Sequence, residues 1–291
     1  MHDFRLPDAT RLGGLTLRVA DAARSLAFYR DVIGLRPLAS EGGRATLSAT
    51  GRAPALLTLE ERAGARPRPR HTAGLYHFAL LVPTRRDLAA VLRHLHECRW
   101  PMAGASDHDV SEALYLSDPD GNGIEIYADR PRDRWRWTDG AVAMTTTPLD
   151  LRGLLAELEP EAPAWTGLPE GTVLGHVHLH VPDLDAAEAF YHGALGFDVV
   201  NDSYPGARFL SAGRYHHHVG LNVWAGLGVP PTPEDAAGMT EYEVVLPDLD
   251  ASDRLLDHAR AAGAGPQPDP RGWRTLDPAG VRVVVRVGDA V

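Results

Sequence analysis

The chain has 291 residues, 44% hydrophobic and 23% charged, which is about twice an ordinary domain and points to two domains or a repeated unit. No apolar run reaches the length of a membrane span, and a net charge of −10 has the wrong sign for tracking phosphates, so neither a membrane nor a nucleic acid is expected as a partner. The lone cysteine, Cys98, allows no internal disulfide, and the opening MHDFRLPDATRL has no apolar export segment; both point to a cytoplasmic chain.

In chain order, the first unit reads as an alternating strand, a turn opened by Asp21, an amphipathic helix that stops at Gly34, and strands over Ala45–Ala49 and Ala55–Glu60. Ala63–Thr72, with arginines beside prolines, reads as a solvated arm. A second unit, 75–128, begins LYHFALLVP, continues into a helix over Asp87–Cys98 and ends on strands at Ala113–Leu116 and Gly123–Ala128. Arg130–Thr172, rich in Pro, Trp and Arg, reads as a connector with one short helix near Leu149–Leu158.

Residues 174–221 then lie on residues 12–59 without a gap: Leu17 falls on Leu179, Val19 on Val181, Phe28-Tyr29 on Phe190-Tyr191 and Gly34 on Gly196. Asp183 opens the matching turn, and strands are expected over Arg208–Ala212 and His218–Trp224. A fourth unit, 240–287, begins TEYEVVLPD, has a helix over Ala251–Ala262 and ends DPAGVRVVVRV. The expected fold class is therefore α+β, four βαβββ modules in two half-barrels. By sequence the chain divides into 10–129 (modules 1 and 2), the connector 130–172, and 173–289 (modules 3 and 4).

Four such units, with FYRDVIGL and FYHGALGF after the first strands of the first and third, resemble the vicinal oxygen chelate superfamily, which includes glyoxalase I, the bleomycin-resistance proteins and the extradiol ring-cleaving dioxygenases. The resemblance covers almost the whole chain outside the connector. It implies half-barrels whose concave side holds a metal, with ligands from the first and last strands of each unit. Those positions read Gly14, His77, His176 and Glu241 on the first strands, and Glu60, Glu125, Asn222 and Val284 on the last. A lone histidine on a strand says little, but two histidines and a glutamate at repeat-equivalent points form a 2-His-1-carboxylate set. Such a set suits a non-haem Fe(II) oxygenase and leaves three positions for a bidentate catecholate and O2.

The run from His108 through Tyr115, Asp118-Pro119 and Gly121 to Glu125 is similar to the extradiol dioxygenase signature, departing only at Ser106. The DPDGN turn alone would read as a plain hairpin connection. The resemblance implies that Glu125 is the metal carboxylate, His77 and His176 its partners, and His108 and Tyr115 hydrogen-bonding groups for the substrate or oxygen. In RYHHHVGLNVWAG the family pattern favours His217 as the acid/base, whereas strand alternation counted from Asn222 turns His216 and His218 inward; His216, His218 and Asn222 are accordingly placed on the substrate side.

Pairing the units in sequence order would split these ligands between two barrels, so pairing of the second with the third and the first with the fourth is expected. SEALYLSDPDGNGIEIYADRP, MTTTPLD and RYHHHVGLNVWAG most resemble the two-domain catechol 2,3-dioxygenases. This implies Fe(II), or Mn(II) in its place, a small aromatic diol and O2 as partners, and a homo-oligomer is compatible with the sequence. The rivals are a glyoxalase-like isomerase using Glu60, His77 and Glu125 around Ni or Zn, and a metal-free binding protein of the bleomycin-resistance kind.

Overall fold

The computed structural model describes residues 4–159, 161 and 163–288; residue 289, the last of the expected second span, lies outside them. The α+β class expected from the repeats is the one observed. Asp21 and Asp183 accept hydrogen bonds from the backbone N–H groups of Arg24 and Ala186, which starts the helices Ala22–Phe28 and Leu184–Glu188. Each helix widens into a π-helical stretch, Tyr29–Ile33 and Ala189–Ala194, a feature the apolar periodicity does not announce. Gly34 and Gly196 then turn the chain at φ of 88° and 76°, where a side chain would be strained.

The repeated Phe-Tyr pair has a structural purpose. Tyr29 donates its hydroxyl to Asp118 at 2.9 Å, and Tyr191 donates to Asp277 at 2.6 Å, so the helix of one unit clasps the Asp-Pro turn of the next. Both aspartates are buried and also cap their own turns, accepting from the backbone at Asp120 and Asn122, and at Ala279 and Val281.

Sequence neighbours are thus clasped, but the sheets are built crosswise. A nine-stranded sheet joins the second unit to the third through the antiparallel strands Gly74–Leu81 and Val173–His180. An eight-stranded sheet joins the first unit to the fourth through Arg11–Val19 and Gly238–Leu246. The division at the connector is therefore not the division of the sheets, because one unit joins another across 130–172 and the two units within 10–129, or within 173–289, lie in different sheets. In each sheet the first strand of a unit runs parallel to that unit's last strand, as Gly74–Leu81 does beside Gly123–Asp129.

Strand alternation separates two faces. Val177, Leu179 and Val181 turn into an apolar core that also takes Leu15, Leu17, Phe78 and Leu80, so the core spans both sheets. His176, His178 and His180 turn the other way. Two segments carry more structure than expected. Ala63–Thr72 is exposed over most of its length, as an arm would be, but it is not free: Arg66 bridges to Ala236 and Ala73 to Pro231, tying the arm to the segment that leads into the fourth unit. The connector holds a short helix, Leu151–Leu155, and an edge strand, Thr147–Pro148, paired with Met102–Asp107; its Trp135 and Val142 pack against Val200, Phe209 and Tyr215. Among the described residues no helix is long and apolar enough to cross a membrane.

Candidate metal centre

Where the two central strands of the larger sheet meet, both are bulged. The ladder slips around Gly175, between Leu174 and His176, and around Tyr76, opposite His178 and Leu179. The second slip turns both Tyr76 and His77 toward one cavity of about 630 Å³, within the range of small-molecule sites. Gly175 has no room for a side chain, since a Cβ would overlap the Tyr127 hydroxyl, itself 2.7 Å from that of Tyr215. Gly175→Ala is therefore expected to cost about 1–3 kcal/mol through overpacking. Thermal unfolding of the two proteins side by side checks this; an unchanged midpoint would show that the bulge accommodates a methyl group.

His77, Glu125 and His176, all buried, are the one set of three potential ligands among the described residues whose donor atoms lie within 4.8 Å of one another. His77 Nε2 is 3.1 Å and His176 Nε2 3.2 Å from the same oxygen, Oε2 of Glu125. Two ligand atoms at right angles, each roughly 2.0–2.2 Å from an ion, would stand about 3 Å apart, so the spacing fits a shared metal. His77 Nε2 is buried without an aligned hydrogen-bond partner, and a metal would satisfy it. Burial works to raise the Glu125 carboxyl, but the two imidazoles outweigh it and hold it well below the usual carboxylate range. Burial also drives His176 down to about 4, leaving at neutral pH the carboxylate and free imidazole that a metal requires.

His108 Nδ1 lies 2.7 Å from the carbonyl of Thr145, which can only accept, so this nitrogen carries a proton. Its Nε2 then faces the Tyr115 hydroxyl at 2.7 Å. Burial, followed by the Glu125 charge, raises Tyr115 well above its ordinary value and keeps it a phenol. The connector therefore sets the tautomer of His108, a function that its composition does not reveal.

The three consecutive histidines lie before the strand Val219–Asn222, outside the reach of alternation. His217 lines the cavity, its ring centroid 4.1 Å from that of His176. His216, His218 and Asn222 do not line it, contrary to their expected placement on the substrate side. Asp129 accepts from His216 Nε2 at 3.0 Å, so His216 Nδ1 carries the lone pair that meets His217 Nδ1–H at 2.8 Å. That leaves the free lone pair of His217 on Nε2. Burial, with His176 and His216 adding to it, pushes His217 well below its ordinary value and keeps it neutral. His218 Nδ1 accepts from the Ala212 backbone at 3.2 Å and Asn222 Oδ1 meets His180 Nδ1 at 2.6 Å, while Asn222 Nδ2 is buried without a partner.

Two cavity histidines were not singled out from sequence. His178, with an unpartnered buried Nε2, and His180 follow His176 at period two in VLGHVHLH, and that spacing was the available signal. The smaller sheet is different in kind. There Glu241 meets Arg271 at 2.7 Å and Glu243 meets Arg286 at 2.7 Å, so arginines stand beside the acids; Gly14 donates its N–H to Glu243 at 3.3 Å, and Val284 is fully buried. Glu60 is on this sheet, 3.6 Å from Arg44, and does not join His77 and Glu125 as a glyoxalase-like set would require.

Comparisons with known proteins agree with this geometry. The sequence profile of the Glyoxalase/Bleomycin resistance protein/Dioxygenase superfamily matches residues 11–126 and 173–285. A catechol-2,3-dioxygenase of Bacillus subtilis (strain 168) is 47% identical over 273 residues, 92% of this chain and 94% of the relative. Among solved structures, one from Bacillus subtilis subsp. subtilis str. 168 superposes with a TM-score of 0.64 at 16% identity, covering 98% of this chain and 86% of its own. Glyoxalase I from Zea mays gives 0.56 at 16% identity, covering 95% and 92%, which extends the likeness of fold beyond the dioxygenases. Since the profile takes in both halves and the curated relative matches nearly end to end, the chain belongs to the glyoxalase/bleomycin resistance protein/dioxygenase superfamily and is an enzyme of its extradiol dioxygenase kind.

Proposed function

We propose that the chain is an Fe(II)-dependent extradiol dioxygenase that opens catechol or a substituted catechol with O2, both oxygen atoms ending in a 2-hydroxymuconic semialdehyde type of product. Mn(II) is the other ion that this donor set suits. The observation that carries the reading is the approach of His77 and His176 to one oxygen of Glu125 at the wall of a cavity that also holds His217 and the His108–Tyr115 pair. In this reading His77, His176 and Glu125 hold the ion. Fe(II) bound there would supply adjacent positions for the diol and O2 and the redox capacity for ring opening.

The remaining work belongs to the protein's own side chains. His217 Nε2 takes a proton from a substrate hydroxyl and later returns one, a neutral imidazole being the form able to do so. The Tyr115 hydroxyl, whose proton is directed to His108 Nε2, presents its oxygen to accept a hydrogen bond from a hydroxyl of the bound diol. Tyr76, Phe209 and Trp224 present aromatic surface to a flat ring and displace water from the cavity. The test is anaerobic loading with Fe(II), then catechol in aerated buffer. One O2 should disappear per ring opened, with a yellow product; iron-replete protein that consumes no O2 with any catechol would overturn the reading.

A further inference from the structure

The docked arm carries three arginines, and two of them are used differently. Arg66 grips Asp235 with two nitrogens, at 2.9 and 3.1 Å. Arg68 instead reaches the wall of the cavity, where its Nη1 is buried and has no hydrogen-bond partner. A guanidinium is charged at any working pH, and a buried charge without a counter-charge is unfavourable until one arrives. Nothing in the cavity provides that counter-charge. Of the residues lining it, Glu125 is the lone carboxylate, and it is already engaged by His77 and His176. Arg70 lines the same cavity, and no ion pair to it is found among the described residues, so the arm adds two positive charges to the wall. Arg68 also acts on His180, whose Nδ1 is taken by Asn222 and whose ring offers no negative charge.

We propose that the arm builds an anion subsite, so that the preferred catechol carries a carboxylate, which accepts hydrogen bonds from the Arg68 guanidinium while the diol lies toward Glu125. The inference rests on the ring-cleavage reading of the same cavity. It gives Ala63–Thr72 a part in substrate choice: Arg66 and Asp235 anchor the arm, and Arg68 reads the ligand.

The experiment compares acids with their own methyl esters, which match in shape and lack the charge: 3,4-dihydroxybenzoate, 3,4-dihydroxyphenylacetate and 3-(2,3-dihydroxyphenyl)propanoate. Binding is followed anaerobically on the Fe(II)-loaded protein by tryptophan fluorescence, since Trp224 lines the cavity. At least one acid should bind about 10- to 100-fold more tightly than its ester, the range for a hydrogen bond to a charged group. Arg68→Met should abolish that preference and leave ester affinity within about twofold, while Arg68→Lys should keep part of it. Acids that bind no better than their esters, or a preference that survives Arg68→Met, would overturn the subsite. If Arg68→Met does not fold, the wild-type comparison and Arg68→Lys carry the same decision. Aerobic turnover of the same compounds separates the two readings. Ring opening without acid preference removes the subsite alone, and Arg68-dependent acid preference without ring opening supports the subsite while removing the dioxygenase reading.

Discussion

Glu125→Ala is expected to abolish metal retention and, with it, all ring cleavage. The carboxylate is the one negative charge available to a divalent ion at this site, and His77 and His176 approach the same oxygen of it at 3.1 and 3.2 Å. Loss of a group that merely supports a ligand costs 10- to 100-fold in metal affinity, so loss of the ligand itself should exceed roughly 100-fold. Metal content after dialysis, measured beside turnover, tests this, and Glu125→Gln separates charge from shape. A full complement of iron in Glu125→Ala would remove the carboxylate from the ligand set and leave the proposed centre without foundation.

His217→Phe is expected to keep its iron and lose roughly 10²- to 10⁴-fold in turnover, the range for deleting a positioned general acid or base. The reason lies in the chain Asp129–His216–His217, which leaves the free lone pair of His217 on Nε2. Tyr115→Phe should cost less, because it removes a hydrogen bond and not the proton carrier. Asp129→Asn should fall between these limits by disturbing the tautomer of His216 while leaving His217 in place. Turnover must be expressed per bound iron, since a ligand variant loses both quantities and a proton-carrier variant only one. Normal turnover in His217→Phe, with loss in His108→Phe, would move the proton chemistry to the other wall of the cavity.

Much of this was legible in the sequence because it is local or repeated. The gapless match of residues 12–59 with 174–221 shows the modules, and Asp21 and Asp183 cap helices wherever the chain places them, since a cap needs only its own next turn. His77, His176 and Glu125 were marked by repeat position together with the resemblance to the extradiol dioxygenases. The crosswise pairing of modules was inferred only by asking which arrangement would bring those ligands together.

Other features depend on contacts that no local pattern encodes. Alternation placed His216 and His218 toward the substrate, yet the strand starts only at Val219, and before it a turn through Arg214 at φ 52° breaks the period. The tautomer of His108 depends on a carbonyl of the connector, at Thr145, and that of His217 on Asp129 from another unit. Arg66 and Arg68 look alike in an arginine- and proline-rich arm. One meets Asp235 and the other meets nothing, because long-range packing decides which charge finds a partner. The sequence by itself determined the modules, their caps and the residues able to bind a metal. Tertiary structure alone decided where the strands that pair across 130–172 bulge, which lone pairs face the cavity and which cation waits there unpaired, because these depend on groups brought together from distant parts of the chain.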